Sequence, residues 1–175
     1  MKRLVLALCL LLSACASWFA LPLLKIQPAA LGPERTVEQR VSFSRRDESR
    51  SFDSVVEVSS DRLDVVATAV GVRLFTLSYD GRTLTRGAGL PMPGGLPPEW
   101  VLNDLLYVYA PLDVLQASLP DGWRVVDTDG TRRLLESGKT IIEIHYSGAD
   151  HWNARAELEQ KRLGYRLRID SREAE

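Results

Sequence analysis

Cysteine and histidine are nearly missing from this chain: 175 residues hold two of each. Both cysteines, Cys9 and Cys15, sit near the N-terminus, so nothing downstream of Cys15 can form a disulfide, a cysteine zinc site or a thiol nucleophile. The histidines, His145 and His151, lack the spacing of a zinc site, and the sequence has no Gly-x-Ser-x-Gly elbow and no phosphate-binding glycine loop. Ser147, Asp150 and His151 fall within one short turn, too close in sequence to converge easily as a triad. The expectation is a non-enzymatic protein with no catalytic residue, metal or cofactor. An excess of charge is also lacking: Lys and Arg number 22 against 23 Asp and Glu, which disfavours nucleic acid as a partner. No internal repeat, low-complexity tract or compositional break marks a second domain. Hydrophobic residues at 45% and charged residues at 26% are a globular composition, and the length suits one domain.

What is present begins at the N-terminus. Lys2-Arg3 precedes the apolar run Leu4 to Leu12, and Leu12-Ser13-Ala14-Cys15 closes it. A basic start holds the chain on the cytoplasmic side, the apolar run enters the bilayer, and small residues before the cysteine admit a signal peptidase. This is the pattern of a bacterial lipoprotein. Residues 1–14 are expected to be a signal peptide, Cys15 the site of diacylglycerol and further acylation with chains such as palmitate, and residues 15–35 a lipid-anchored tether. The apolar start of that tether is expected either in the membrane interface or packed on the domain. The competing reading is an uncleaved anchor or an ordinary secretion signal, because no charge interrupts Leu4 to Leu24, close to the ~20 residues that span a bilayer. Pro22 argues against one continuous helix there. By resemblance to the sorting rule of enteric bacteria, Ala16 in place of Asp favours the outer membrane, with the protein facing the periplasm.

From Glu38 onward the chain alternates with period two between turn residues, the signature of antiparallel strands with one covered face. Val41 and Phe43 begin the pattern. Phe52, Ser54, Val56 and Val58 follow, then Leu63, Val65, Ala67 and Ala69, then Phe75, Leu77 and Tyr79. Asp80-Gly81 supplies a tight turn. The stretch 87–98 reads as a loop. Pro97-Pro98-Glu99 then opens a helix whose apolar stripe is Val101, Leu102, Leu105, Leu106 and Tyr109, with Asn103 and Asp104 off it. Pro111 ends that helix, and Leu112, Leu115 and Leu119 suggest a second short one. Strands resume at Trp123 and continue through Ile142 and Ile144, Ala156 and Leu158, and finally Tyr165, Leu167 and Ile169. The expected fold is mostly β with a helical insert over residues 98–119, an α+β arrangement: a curved antiparallel half-barrel of about nine to eleven strands over residues 36–175, covered by a helical lid.

Several motifs carry a resemblance: Pro97-Pro98-Glu99-Trp100-Val101-Leu102-Asn103-Asp104-Leu105-Leu106, Leu119-Pro120-Asp121-Gly122-Trp123, and the closing Gly164-Tyr165-Arg166-Leu167-Arg168-Ile169. Over about Glu38 to Ser171 the chain resembles a group of bacterial lipoproteins placed with the lipoprotein carriers LolA and LolB. The resemblance implies an incomplete barrel around an apolar cavity that accepts an acyl chain, glycolipid or lipoprotein. It also implies a role accessory to lipid or lipoprotein transport or biosynthesis, with partners from an export or biosynthesis system. Phe52, Val56, Leu63, Val65, Phe75 and Leu77 would line such a cavity from the first strands. Ile142, Ile144, Leu158 and Leu167 would do so from the later strands, and Leu102, Leu105 and Leu106 from the lid. The same pattern fits a filled core in a structural or assembly subunit that acts through protein contacts, and the two readings stay open at this point. LolB carries a protruding loop with an exposed leucine before a glycine; the corresponding Ala69-Val70-Gly71-Val72 lacks that leucine, so lipoprotein transfer is not implied along with lipid binding. The loop Leu90 to Leu96 is a candidate membrane-touching or gating element. Arg45, Arg46 and Arg50 form the densest positive group and are candidates for anionic head groups, against the plainer reading of a solvated hairpin edge.

Overall fold

The computed structural model describes residues 22–87, 89–90 and 96–174. The expected signal peptide, Cys15, the start of the tether and the centre of the loop 90–96 lie outside them. In chain order the elements are β1 (Arg35–Arg45), β2 (Glu48–Val58), β3 (Leu63–Ala69), β4 (Val72–Tyr79), β5 (Leu84–Arg86), α1 (Pro98–Tyr109) and α2 (Leu112–Ser118). There follow β6 (Trp123–Thr128), β7 (Thr131–Glu136), β8 (Lys139–Tyr146), β9 (Arg155–Gln160) and β10 (Tyr165–Glu173). Short 3-10 turns cover Pro28–Leu31 and His151–Asn153. Among the described residues no helix is long and apolar enough to cross a membrane.

The strands form one ten-stranded sheet in the order β5-β4-β3-β2-β1-β10-β9-β8-β7-β6, and neighbours pair antiparallel throughout. Two meanders are thus joined where the first strand meets the last, with Val41 opposite Ile169 and Phe43 opposite Leu167. Tight turns set the register: Asp129 and Gly130 both take positive φ, 50° and 70°, which suits a two-residue hairpin connection to the twist of its strands. Because β5 and β6 are the two edges, the chain between them has to cross the whole sheet. That crossing is the helical insert, and it explains why the helices cover one face. The fold is therefore mostly β with a helical insert, as the alternation and the prolines predict.

One face of each strand supplies the core. In β1, Val37, Val41 and Phe43 are buried while Glu38 and Arg40 are exposed, and in β10 Tyr165 and Ile169 are buried between exposed Arg166 and Arg168. Each such aliphatic or aromatic side chain contributes roughly 1.5–3 kcal/mol by leaving water. The chain ahead of β1 joins this core as a strap. Leu24, Ile26 and Leu31 are buried between exposed Lys25 and Gln27. Asn103 of α1 donates through Nδ2 to the Pro22 carbonyl and accepts at Oδ1 from the Leu24 N–H, both at 2.9 Å. Tyr79 of β4 donates to the Leu24 carbonyl at 2.6 Å and accepts from the Ile26 N–H at 3.2 Å. Of the segment expected as tether, the part from Pro22 to Leu31 is therefore packed on the domain.

The strap also revises the reading of α1, in which Asn103 and Asp104 were placed off the buried stripe. Every residue from Leu102 to Tyr109 is buried, because the sheet covers one side of the helix and the strap another. A buried helix end leaves carbonyls without water, and those carbonyls need other partners. Arg132 of β7 supplies them. Its Nη1 donates to the carbonyls of Tyr107 and Ala110, both at 2.8 Å, while Nε and Nη2 donate to the two Asp127 carboxylate oxygens, also at 2.8 Å. Tyr146 donates to the Val108 carbonyl at 2.7 Å, and the Tyr109 ring stacks on Trp152 with centroids 4.0 Å apart. Burial works most strongly against the charge of Arg132, yet the hydrogen bonds to Asp127 together with the Coulombic attraction of Tyr146 and Asp127 outweigh it and hold the pKa above its ordinary value.

Arg132→Met leaves helix carbonyls and a carboxylate without their donor, so we expect a loss of about 3 kcal/mol in unfolding free energy by urea titration. Arg132→Lys should recover less than half of it, since an ammonium cannot reproduce the planar fork. A loss below about 1 kcal/mol for the methionine variant would show that the helix end is held by packing alone.

Candidate functional site

The buried face of the sheet and the N-terminal half of α1 do not meet completely. Between them lies a cavity of about 60 Å³. Strand β1 contributes Val41 and Phe43, β2 Phe52, β3 Val65, β4 Phe75 and β10 Leu167 and Ile169, and Leu96, Val101 and Leu105 close it from the insert. Phe52 and Phe75 meet edge to face with centroids 6.0 Å apart. Phe52, Val101 and Leu167 are only half-buried, so the cavity reaches the surface beside the start of α1. Its volume is far below the ~300 Å³ at which ligand pockets begin. As it stands it has room for a water or two, and its apolar walls offer water few partners.

The polar groups in the wall are largely paired with one another. Gln39 donates to the Tyr109 hydroxyl at 2.7 Å and accepts from the Ser54 hydroxyl at 3.2 Å, and the Tyr109 and Ser171 hydroxyls are 2.6 Å apart. Asp104 is 2% exposed, with Tyr165 donating to its Oδ2 at 2.6 Å. Burial pushes its pKa up to about 7, the Tyr165 hydrogen bond acting in the opposite direction. Burial raises the pKa values of the Tyr107, Tyr109 and Tyr165 hydroxyls above the ordinary tyrosine range as well. Below neutral pH the site therefore contains little net charge, which favours an apolar occupant.

Of the residues predicted from alternation, Phe52, Val65, Phe75, Leu105 and Leu167 line the cavity. Val56, Leu63, Leu77, Leu102 and Leu106 are buried in the surrounding core, and Ile142, Ile144 and Leu158 belong to that core from the β6–β10 meander. Cys15 lies outside the described residues. Sequence reasoning did not single out Gln39, Ser54, Asp104 and Tyr109 as wall residues. Gln39 and Ser54 did carry a signal, since each sits in phase with core-facing neighbours, Val37 and Val41 in one case and half-buried Phe52 and buried Val56 in the other. Asp104 carried none, because its burial depends on β10 folding back against the helix.

The remaining candidate groups are used locally. The Ser147 hydroxyl accepts from the Arg155 N–H at 2.9 Å and Asp150 accepts from the Trp152 N–H at 3.1 Å. The His151 ring stacks on Tyr146 with centroids 3.6 Å apart, and burial lowers its pKa. His145 is exposed on β8 with Nδ1 3.1 Å from the Thr131 hydroxyl. Among the described residues no group of three or more His, Cys, Asp and Glu is placed to hold a metal. At the β3–β4 turn Val70 is fully exposed at φ 50° and Val72 is exposed beside it.

A LolA superfamily protein from Nitrosomonas europaea has a crystal structure similar to this chain at a TM-score of 0.46 and 12% identity, over 86% of this chain and 90% of that one. No curated protein matches. A family model described as "Protein of unknown function (DUF3261)" matches residues 36–173, and the chain belongs to that family.

Proposed function

We propose that this protein is a lipid-anchored cell-envelope protein that takes up an acyl chain, or a molecule bearing one, between α1 and the sheet. It would act beside lipid or lipoprotein transport or synthesis, held at the outer membrane by the acylated Cys15 and facing the periplasm. The observation that carries this reading is the asymmetry of α1. Its C-terminal half is tied down through Tyr107, Val108, Tyr109 and Ala110, whereas its first turn has no side-chain cap and borders an apolar cavity open to the surface. A chain of acyl length does not fit in 60 Å³, so entry requires the first turns of α1 to lift. Exposing two or three lid side chains costs about 1.5–3 kcal/mol each, and burying roughly eight to ten methylenes at about 0.8 kcal/mol each offsets that.

The small volume also favours a second reading, a structural or assembly subunit with a filled core. Native mass spectrometry of the purified full-length chain separates the two: co-purified lipid and uptake of a fluorescent fatty acid are expected under the first. An empty protein that takes up no probe would leave the filled core standing. Val101→Trp, at the mouth, should reduce uptake at least about tenfold while preserving the fold. Phe75→Arg and Leu105→Arg should abolish it, with circular dichroism checking that they remain folded. For the anchor, Cys15→Ser should abolish labelling with radioactive palmitate; persistent labelling would place the acyl group elsewhere.

A pH dependence follows from Asp104. Its pKa in the closed form, about 7, lies above the ordinary 3.8, so the closed form binds more protons than the unfolded chain between those values. The contribution of this group is therefore most favourable at low pH and is lost as pH rises from about 4 through about 7, by a few kcal/mol. Tyr165 on β10 and Tyr107 on the helix itself stay neutral across that window. We expect fatty-acid uptake to be faster at pH 8 than at pH 5, and Asp104→Asn to flatten both the uptake profile and the stability profile. An unchanged pH profile in the asparagine variant would assign the dependence to another group.

A further inference from the structure

A second recess, of about 350 Å³, opens where the β1–β2 turn meets the β9–β10 turn. Four cations border it: Arg45 at the end of β1, Arg46 from the first turn, Lys161 from the second and Arg166 from β10. Glu159 is the one carboxylate among its lining residues, and it is already engaged by Arg166 at 2.8 Å and by Lys161 at 3.8 Å. Lys161 also reaches Glu143 at 3.0 Å. Arg45 and Arg46 form no ion pair among the described residues, although Asp47 and Glu48 follow them in the chain. Arg46 holds its place at φ 54°, a left-handed conformation that glycine or asparagine adopts at lower cost.

The floor of the recess supplies a second, independent observation. Gln160 lines it and is 1% exposed, and its amide nitrogen and oxygen make no hydrogen bond of ordinary geometry, with the Tyr165 hydroxyl near enough to interact only weakly. An unpaired buried amide costs about 1–3 kcal/mol, which a polar ligand group would recover. Beside it Tyr165 forms part of the same wall, and the other side of that wall is the apolar cavity. The Tyr165 ring lies 5.6 Å from that of Phe43, which lines the cavity, and its hydroxyl bonds to Asp104, which also lines it. A charged recess and an apolar cavity therefore share the Phe43–Tyr165 partition.

We propose that this recess binds the phosphate head group of an amphiphile whose tail occupies the cavity, passing the Tyr165 ring once the lifting of α1 has released its hydroxyl from Asp104. Two guanidinium groups without carboxylate partners match a phosphate better than a carboxylate, because two planar forks together can engage its three terminal oxygens where a carboxylate offers two. The inference rests on the cavity accepting a tail, and the two claims can fail separately.

The test titrates the purified full-length chain with decyl phosphate, with decanol, which has the same tail and no charge, and with inorganic phosphate. Decyl phosphate should bind at least about tenfold tighter than decanol at low salt, and the gap should narrow as ionic strength rises. The exposed-turn double variant Arg45→Gln/Arg46→Gln should bind the two with equal affinity, its decanol affinity matching the wild type. Equal affinities in the wild type, or a preference that survives the double substitution, would overturn the head-group site while leaving the cavity. Inorganic phosphate binding that is lost in the variant, with no gain from a decyl tail and no decanol binding, would support the recess as a free-anion site and overturn the tail reading. Failure of all three ligands to bind would overturn both.

Discussion

Everything in this fold depends on how the chain gets from one edge of the sheet to the other. The first meander ends at β5 and the second begins at β6, on opposite edges, so the segment between them must lie across the buried face. A helix laid there loses access to water at its C-terminal end, where carbonyls are left over and the helix dipole is negative. Arg132 answers both needs at once, with donors to two of those carbonyls and a positive charge at the negative end. Asp127 then makes the buried cation tolerable. Without a donor at 132 the same topology would bury a helix end with unmet carbonyls.

The clasp divides the molecule into two working halves. Under β7 and β8 the helix end is held by directional bonds that do not tolerate displacement. Under β1 to β4 and β10 the first turn and a half of the helix rests on apolar side chains, ahead of the bonds made by Asn103 and Asp104, and such apolar contacts are non-directional and can be exchanged for equivalent contacts with a hydrocarbon. Tyr109 and Gln39 mark the boundary between the halves, and the cavity begins on the apolar side of it.

The strands were legible because their alternation is local: Tyr165, Leu167 and Ile169 announce a covered face without reference to anything else. The limits of the insert were legible for the same reason, since Pro98 and Pro111 act on their immediate neighbours. Burial of Asn103 and Asp104 was not, because it depends on Leu24 and on Tyr165, each of them tens of residues away in sequence. The site was legible only in part. Alternation places Val56 and Leu63 on the same face as Phe52 and Val65, and only the path of α1 over that face decides which of them border empty space. Gln39 and Ser54 were visible as polar residues in apolar phase, a pattern that in retrospect marks the wall of the cavity.

The neutral state of Asp104 ties these halves together. A charged carboxylate at the inner wall would draw water into the cavity and oppose any apolar occupant, whereas a neutral acid hydrogen-bonded to Tyr165 does neither. The partner is the same tyrosine whose ring separates the cavity from the cationic recess, so its position is set at the hydroxyl by the acid and at the ring by Phe43 packing. Moving the first turns of α1 would carry Asp104 away from Tyr165 and expose it to water, which restores the ordinary preference for ionisation. Under the proposed function, opening the cavity and charging its inner wall would thus be one event, and a tail that closed the cavity again would have to return that proton or leave the carboxylate outside.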